Sequence, residues 1–429
     1  MYSLTKKFII IGLILLPFNQ RVGWFDSGGA NLIAVILRSD TWLVPIILLS
    51  ILFSKSTLLK IPPLTSLSRN ILWTLPSKII LCILFATVVS EFRYGVGYNN
   101  FGFLDFIKII LCILFGLIIY NISSDDKIFK IKIINIYIWI SSINLFAALF
   151  YLLTSINNIE GFNGLTAGEI EVGLGFMGYG DRFQGVGSNP NIVMTHIIIS
   201  LSLIIQKLNG DIKIIKKIIY FIYSSFLIIM AFTTGVRAFF VLFFIILTIN
   251  FMINMKKSSH KTIVMNFLVL IVSIPLIFFI GFELGLMDIV LDRFSNQDGG
   301  RLDLWGIYLN LLASNLLGLG IPFESIFNTG QVYINQNGDT RLPPHNSLLQ
   351  IAIYGGVISL IFTILGLYRI IIAYIKNHNF ENNNTTDCIF LAWAAVTLNS
   401  FFGGLLLTDY NYIVFTSILL ASLTKFTKI

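Results

Sequence analysis

Long apolar runs broken by brief polar punctuation recur from one end of this chain to the other. KKFIIIGLILLPF near the N-terminus, KIILCILFATVV at 78–89, FIKIILCILFGLIIY at 106–120 and AFFVLFFIILTINF at 238–251 are clear examples. A run of about 20 apolar residues is what a helix needs to cross a hydrocarbon core roughly 30 Å thick. Only helices and closed barrels satisfy their backbone inside lipid. The pattern therefore predicts an all-α polytopic membrane protein with about 12 transmembrane helices. The predicted spans lie near 6–24, 39–54, 76–91, 103–122, 133–154, 188–206, 218–235, 237–255, 262–282, 346–375, 388–407 and 410–427. Residues 28–38 read as a short interfacial helix. KKFIIIGLILLPF is followed by polar residues without a small-residue cleavage box, so it reads as a retained first helix.

Two polar stretches are too long to be economical connectors. Residues 155–187 contain NGLTAGEIEVGLGFMGYGDRFQGVG, and residues 283–345 form a hydrophilic insert between the ninth and tenth spans. Loops of such length are often functional. The linear organisation is thus helices over 1–282 with a Gly-rich external loop at 155–187, a large external (periplasmic) loop at 283–345, and C-terminal helices over 346–429. No half of the chain repeats the other, so the inverted-repeat signature of many transporters is missing.

Composition agrees with this reading. The 429 residues are 56% hydrophobic and 12% charged, and the mean hydropathy is +0.85. Soluble domains carry about 25% charged residues. Cys82, Cys112 and Cys388 lie in or beside apolar runs without metal or redox spacing, and read as small hydrophobes.

Charge then fixes orientation. With the N-terminus inside, the clusters KIFKIK (127–132), KIIKK (213–217) and MKKSSHK (255–261) all fall on one side, as the positive-inside rule requires. Both termini are then cytoplasmic. The net charge of +8 reflects this orientation and argues against nucleic acid as a partner. The other lysines, with Arg69 and Arg369, fall on that same side, and the cations of the outer side and membrane interior are nearly all arginine: Arg21, Arg38, Arg93, Arg182, Arg237, Arg293, Arg301 and Arg341, with Lys108. Guanidinium suits two-pronged recognition of phosphate. Lysine abundance inside, driven by topology and codon bias, is the plain alternative cause.

Four outer stretches carry candidate chemistry: DRFQGVGSNPNIVMTHI (181–197), TTGVRAFF (233–240), GGRLDLWGIYLNLLASNLLGLGI (299–321) and LPPHNSLLQIAIYGGVISLI (342–361). In this order they resemble the O-antigen polymerase and O-antigen ligase superfamily of bacterial membrane glycosyltransferases. That family has an R-F-x-G…N-P-N stretch before one helix and a [ST]-x-S-R-G-like element between two later ones. An R…W…N-P-x-x-G-x-G element and an H-N-x-x-L…G element share its large external loop. The likeness covers roughly residues 180–360. Gly235 and Val236 precede Arg237 where the family often has serine, and SNLLGLG lacks the usual proline.

The resemblance implies a glycosyltransferase-C-like fold in the bacterial cytoplasmic (inner) membrane, with its active site on the periplasmic side. It implies transfer of a glycan from an undecaprenyl-pyrophosphate-linked oligosaccharide to a sugar hydroxyl, without metal or other cofactor. Membrane lipids, a glycan acceptor, a chain-length regulator and a flippase are the expected partners. The leading reading is a polysaccharide polymerase acting on another lipid-linked repeat unit. A ligase with lipid A-core as acceptor is the alternative, and a lipid-linked sugar flippase is the rival of another class.

Loss of a diphosphate needs its growing negative charge stabilised. The outer segments lack a D-x-D-like metal cluster, so fixed guanidinium groups are the expected substitute. Arg237 and Arg301 are the candidate catalytic cations, with Arg182 and Arg341 binding substrate. Arg237 also fits a boundary arginine snorkelling to headgroups. His345 is the candidate to accept a proton from the acceptor or to orient it. Asn346 combines substrate binding with a helix N-cap role. Trp305 lies four residues after Arg301, where one helix face can carry both; it suits a sugar ring or interfacial anchoring. Glu169, Glu171 and Asp303 are reserve bases. His196 reads as a helix-packing residue, and His260 and His378 as solvated cytoplasmic ones.

Overall fold

The computed structural model describes residues 2–15, 60, 66–94, 100–146, 190–210, 212–234, 236, 238–255, 301–320, 346–380, 384–402, 406 and 409–423. Among these residues there are helices and no strands. In chain order they are α1 (Tyr2–Leu15), α2 (Leu75–Tyr94), α3 (Asn100–Asp125), α4 (Lys127–Trp139), α5 (Pro190–Leu208), α6 (Ile214–Thr233) and α7 (Ala238–Met255). They continue with α8 (Arg301–Ser314), α9 (Ser347–Phe380), α10 (Asn384–Ser400) and α11 (Tyr410–Leu423). Seven helical stretches among the described residues are long and apolar enough to cross a membrane. The expected spans at 39–54 and 262–282, the interfacial segment 28–38 and the Gly-rich loop lie outside the described residues.

Three boundaries differ from the hydropathy reading. The helical run that holds α2 begins at Leu67, capped by Ser66, whose hydroxyl accepts from the Arg69 N–H at 3.2 Å. Pro76 is tolerated inside this run because the preceding turn, Asn70–Thr74, opens into π geometry and the proline sits at the junction, where a donor is least missed. The second difference is KIFKIK: it forms the first turns of α4, not a loop. The third is α9, which runs on to Phe380, so His378 is helical and stacks on Tyr374 with centroids 5.5 Å apart.

The chain forms two compact units from interleaved stretches. The first comprises Met1–Ile46, Ile128–Gln297 and Asn383–Val396. Pro190 opens α5, a position where its missing N–H costs nothing. α5 packs against α6 and α7, with Ile197, Ile198, Leu203 and Ile204 fully buried. Lipid tails are as apolar as leucine, so helix pairing here depends on close packing and polar contacts. Ser200 Oγ donates to the Tyr137 carbonyl at 2.8 Å; the Ser141 hydroxyl must therefore be the donor in its 3.0 Å pair with Ser200. Asn254 Nδ2 donates to Gln206 Oε1 at 3.1 Å, tying α7 to the C-terminal end of α5. Each such bond is worth about 0.6 kcal/mol in a membrane, so they select register more than they supply stability. The opposite face of α6 exposes Ile215, Ile218, Phe221 and Ile222, a surface suited to lipid.

The second unit comprises Ile47–Lys127, Asp298–Asn382 and Thr397–Ile429. α9 packs along α2, α11 along α3, and α8 against α9. One hydrophobic cluster joins Ile79 and Ile83 of α2, Ile109 of α3, Leu304, Tyr308 and Leu311 of α8, Leu319, Leu349 and Ile353 of α9's neighbourhood, and Leu406. Where hydropathy predicts one uninterrupted tenth span, α9 is broken at Gly356, with φ 75° and ψ −178°. The 24 residues from Val357 to Phe380 are about 36 Å long, enough to cross a membrane on their own.

Candidate active site

Each matched stretch is locally shaped by its own sequence. TTGVRAFF closes the turn between α6 and α7. The Thr234 hydroxyl donates to the Ala231 carbonyl at 2.7 Å and accepts from the Val236 N–H at 3.4 Å. The Phe239 N–H then bonds the Val236 carbonyl at 3.0 Å. Thr234, Val236 and Ala238 are buried, so the chain on either side of Arg237 is enclosed. Arg237 itself lies outside the described residues, as do Arg182, Arg341, His345, Glu169 and Glu171.

Arg301 is the first residue of α8. Leu304, Tyr308 and Leu311 follow at helical spacing and are buried in the second unit's cluster. Trp305 is partly buried and packs against that same cluster. The helix predicted to carry Arg301 and Trp305 is thus present, and its apolar face is fastened to the unit's core.

Asn346 precedes α9, and its Oδ1 accepts from the N–H groups of Leu348 and Leu349, both at 3.1 Å. This is N-capping, worth about 1 kcal/mol. The Ser347 hydroxyl donates to the Ser400 carbonyl at 2.6 Å, which ties the start of α9 to the end of α10 within the same unit. Leu349, one turn into α9, joins Leu304 and Leu406 in the hydrophobic cluster. The elements carrying Arg301, Asn346 and the lead into α11 therefore share one core.

Asp409 was not among the residues singled out from sequence. It sits directly before α11, and its Oδ1 accepts from the N–H groups of Asn411 at 2.9 Å and Tyr412 at 3.4 Å. Burial pushes its carboxyl up to about 6, against the opposing pull of the hydrogen bonds from Asn411 and Tyr412. The available signal was a lone acid in LLLTDYNY, between two apolar runs. His196, in α5, is buried, and its Nδ1 has no hydrogen-bond partner among the described residues. Among the described residues no three His, Cys, Asp or Glu side chains gather closely enough to hold a metal ion.

These features define a class: a multi-pass helical membrane protein, with seven described helical stretches long and apolar enough to cross a membrane. Residues 222–364, about a third of the chain, match the family model described as O-antigen ligase, which supports the likeness to the O-antigen polymerase and ligase superfamily. No curated protein matches the chain.

Proposed function

We propose that this protein is a polysaccharide polymerase that moves a glycan from an undecaprenyl-pyrophosphate carrier to a hydroxyl of another lipid-linked repeat unit. The observation that carries the glycosyl-transfer part of this reading is the family match. The stretch 222–364 encloses Arg237, Arg301, Trp305, Arg341, His345 and Asn346, every candidate site residue except Arg182. A lipid-linked donor holds its diphosphate at headgroup level, the depth expected of these arginines from the predicted topology.

In this reading the acceptor hydroxyl oxygen attacks the anomeric carbon from the side opposite the carrier, with inversion. The bond from that carbon to the diphosphate oxygen breaks, and its electron pair leaves with the diphosphate. Arg237 and Arg301 neutralise the developing charge, with Arg182 and Arg341 holding the donor. His345 takes the acceptor's proton. Asn346 spends its Oδ1 on the α9 cap, which leaves its amide hydrogens for a substrate oxygen.

The likeness to an O-antigen ligase family supports a second reading, a ligase using lipid A-core as acceptor. Purified protein in liposomes with a lipid-diphosphate-linked repeat unit separates the readings. A ladder of products supports the polymerase, and transfer only after lipid A-core is added supports the ligase. Carrier movement without new glycosidic bonds overturns both in favour of a transporter. Turnover is expected to be unchanged by EDTA; abolition by chelator overturns the guanidinium mechanism.

A further inference from the structure

The run Asn315-Leu-Leu-Gly-Leu-Gly320 follows α8 and is not a passive connector. The Gly318 N–H bonds the Asn315 carbonyl at 2.8 Å, ending α8 in a tight turn. The chain then enters the break in α9. There the Leu319 N–H donates to the Ile353 carbonyl at 2.7 Å and the Gly320 N–H to the Tyr354 carbonyl at 2.9 Å. In return the Val357 N–H donates to the Leu316 carbonyl at 3.0 Å. In an unbroken helix the Ile353 carbonyl would accept from Val357, so the strap has replaced bonds that the break removes. Non-helical backbone at membrane depth survives only where protein or a water-lined cavity satisfies it.

The sequence permits this insertion at only a few atoms' tolerance. Gly318 has φ 88°, and a Cβ there would collide with the Gly356 nitrogen. A Cβ on Gly320 would strike Thr87 of α2. On the far side of the break the Ser359 hydroxyl lies 2.9 Å from the Ile351 carbonyl and 2.8 Å from that of Gly356, bridging the two halves of α9. Leu319 is buried in the cluster that also holds Leu304 and Leu349.

We propose that the 316–320 strap, locked into the α9 break, is a positioning element that sets the Arg301 end of α8 at a fixed distance from the Asn346-capped start of α9. This rests on the glycosyl-transfer reading and assigns the spacing of its two motifs to backbone hydrogen bonds. Gly318, Gly356 and Ser359 are positioning residues and do not touch substrate. The break serves the same end: the short helix from Ser347 to Tyr354 is set by the strap and the cluster, and it need not follow the axis of the spanning portion.

The test uses the full-length protein in liposomes, with Cys82, Cys112 and Cys388 replaced and spin labels at the exposed Leu309 of α8 and the half-buried Leu348 in the first turn of α9. Gly318→Ala is expected to broaden the label distance and lower kcat about 10- to 100-fold, as misplacement of about 1 Å does, with KM for the lipid-linked donor unchanged. Ser359→Ala, which adds no atoms, is expected to give a smaller change of the same kind. Unaltered distance with unaltered kcat in the folded variants overturns the proposal, and so does a widened distance at full kcat. Should Gly318→Ala aggregate, Ser359→Ala decides by the same two readouts. Failure of the functional reading is distinct: the wild type then transfers no glycan, while the strap variants still alter the distance.

Discussion

At the scale of single residues, Asp409 illustrates how burial and capping compete. Burial favours the protonated carboxyl, and the two N–H donors of Asn411 and Tyr412 favour the ionised one; burial is the larger cause, lifting it to about 6. Because the folded protein holds this proton more tightly than the unfolded chain, its stabilising contribution is full below the ordinary carboxylate range. It is lost as pH rises through about 6. Thermal stability in detergent is therefore expected to fall between about pH 4 and about pH 6, and Asp409→Asn, which retains an N-cap oxygen, should flatten that fall. An unchanged slope in the variant would remove Asp409 as its source. Arg237 poses a different residue-scale question. Arg237→Lys is expected to insert normally and lose most transfer, because an ammonium cannot reproduce a two-pronged phosphate contact. Near-normal polymer from that variant would argue against the clamp. His196 is buried without a partner for Nδ1 among the described residues. Replacing an unsatisfied polar group with an apolar one removes a cost, so His196→Phe should hold or raise thermal stability; a marked loss would show that the ring contacts something essential.

At the scale of elements, helix starts and turns were the most legible features. Asn-Pro-Asn before an apolar run announced α5, and Asn346 before SLLQI announced the α9 cap, since both rest on local backbone chemistry. RLDLWGIYLNLLAS was read as helical only through the four-residue spacing of Arg301 and Trp305; the burial of Leu304, Tyr308 and Leu311 on one face came from the structure. Asn346→Ala should lower stability by about 1 kcal/mol while Asn346→Asp keeps it, measurable by thermal unfolding in detergent. The break in α9 was not legible. A Gly-Gly pair inside IAIYGGVISLIF is common in membrane helices, and nothing nearby in sequence says that a strap residing some 35 positions earlier fills the gap. Likewise LLGLG reads as loop until its partner carbonyls at Ile353 and Tyr354 are known.

At the scale of the whole molecule, topology converts composition into orientation. If the lysine clusters are cytoplasmic, a cysteine at Asn315 should react with an impermeant thiol reagent applied outside the cell, and one at Lys213 should not. The reverse pattern would invert the predicted site location. Apolar run length, the one-sided lysines and the four ordered motifs fixed the class by themselves, because each depends on local chain properties or on the membrane as solvent. They also nominated the side chains proposed to meet a diphosphate. Tertiary structure alone decided that the Arg301 helix and the Asn346 start share one hydrophobic cluster, that a strap of backbone bonds joins them, and that burial raises the Asp409 carboxyl. The physical reason is the same in each case: these outcomes depend on which backbone and side-chain atoms approach across long stretches of chain, and hydropathy along one strand of sequence holds no record of that approach.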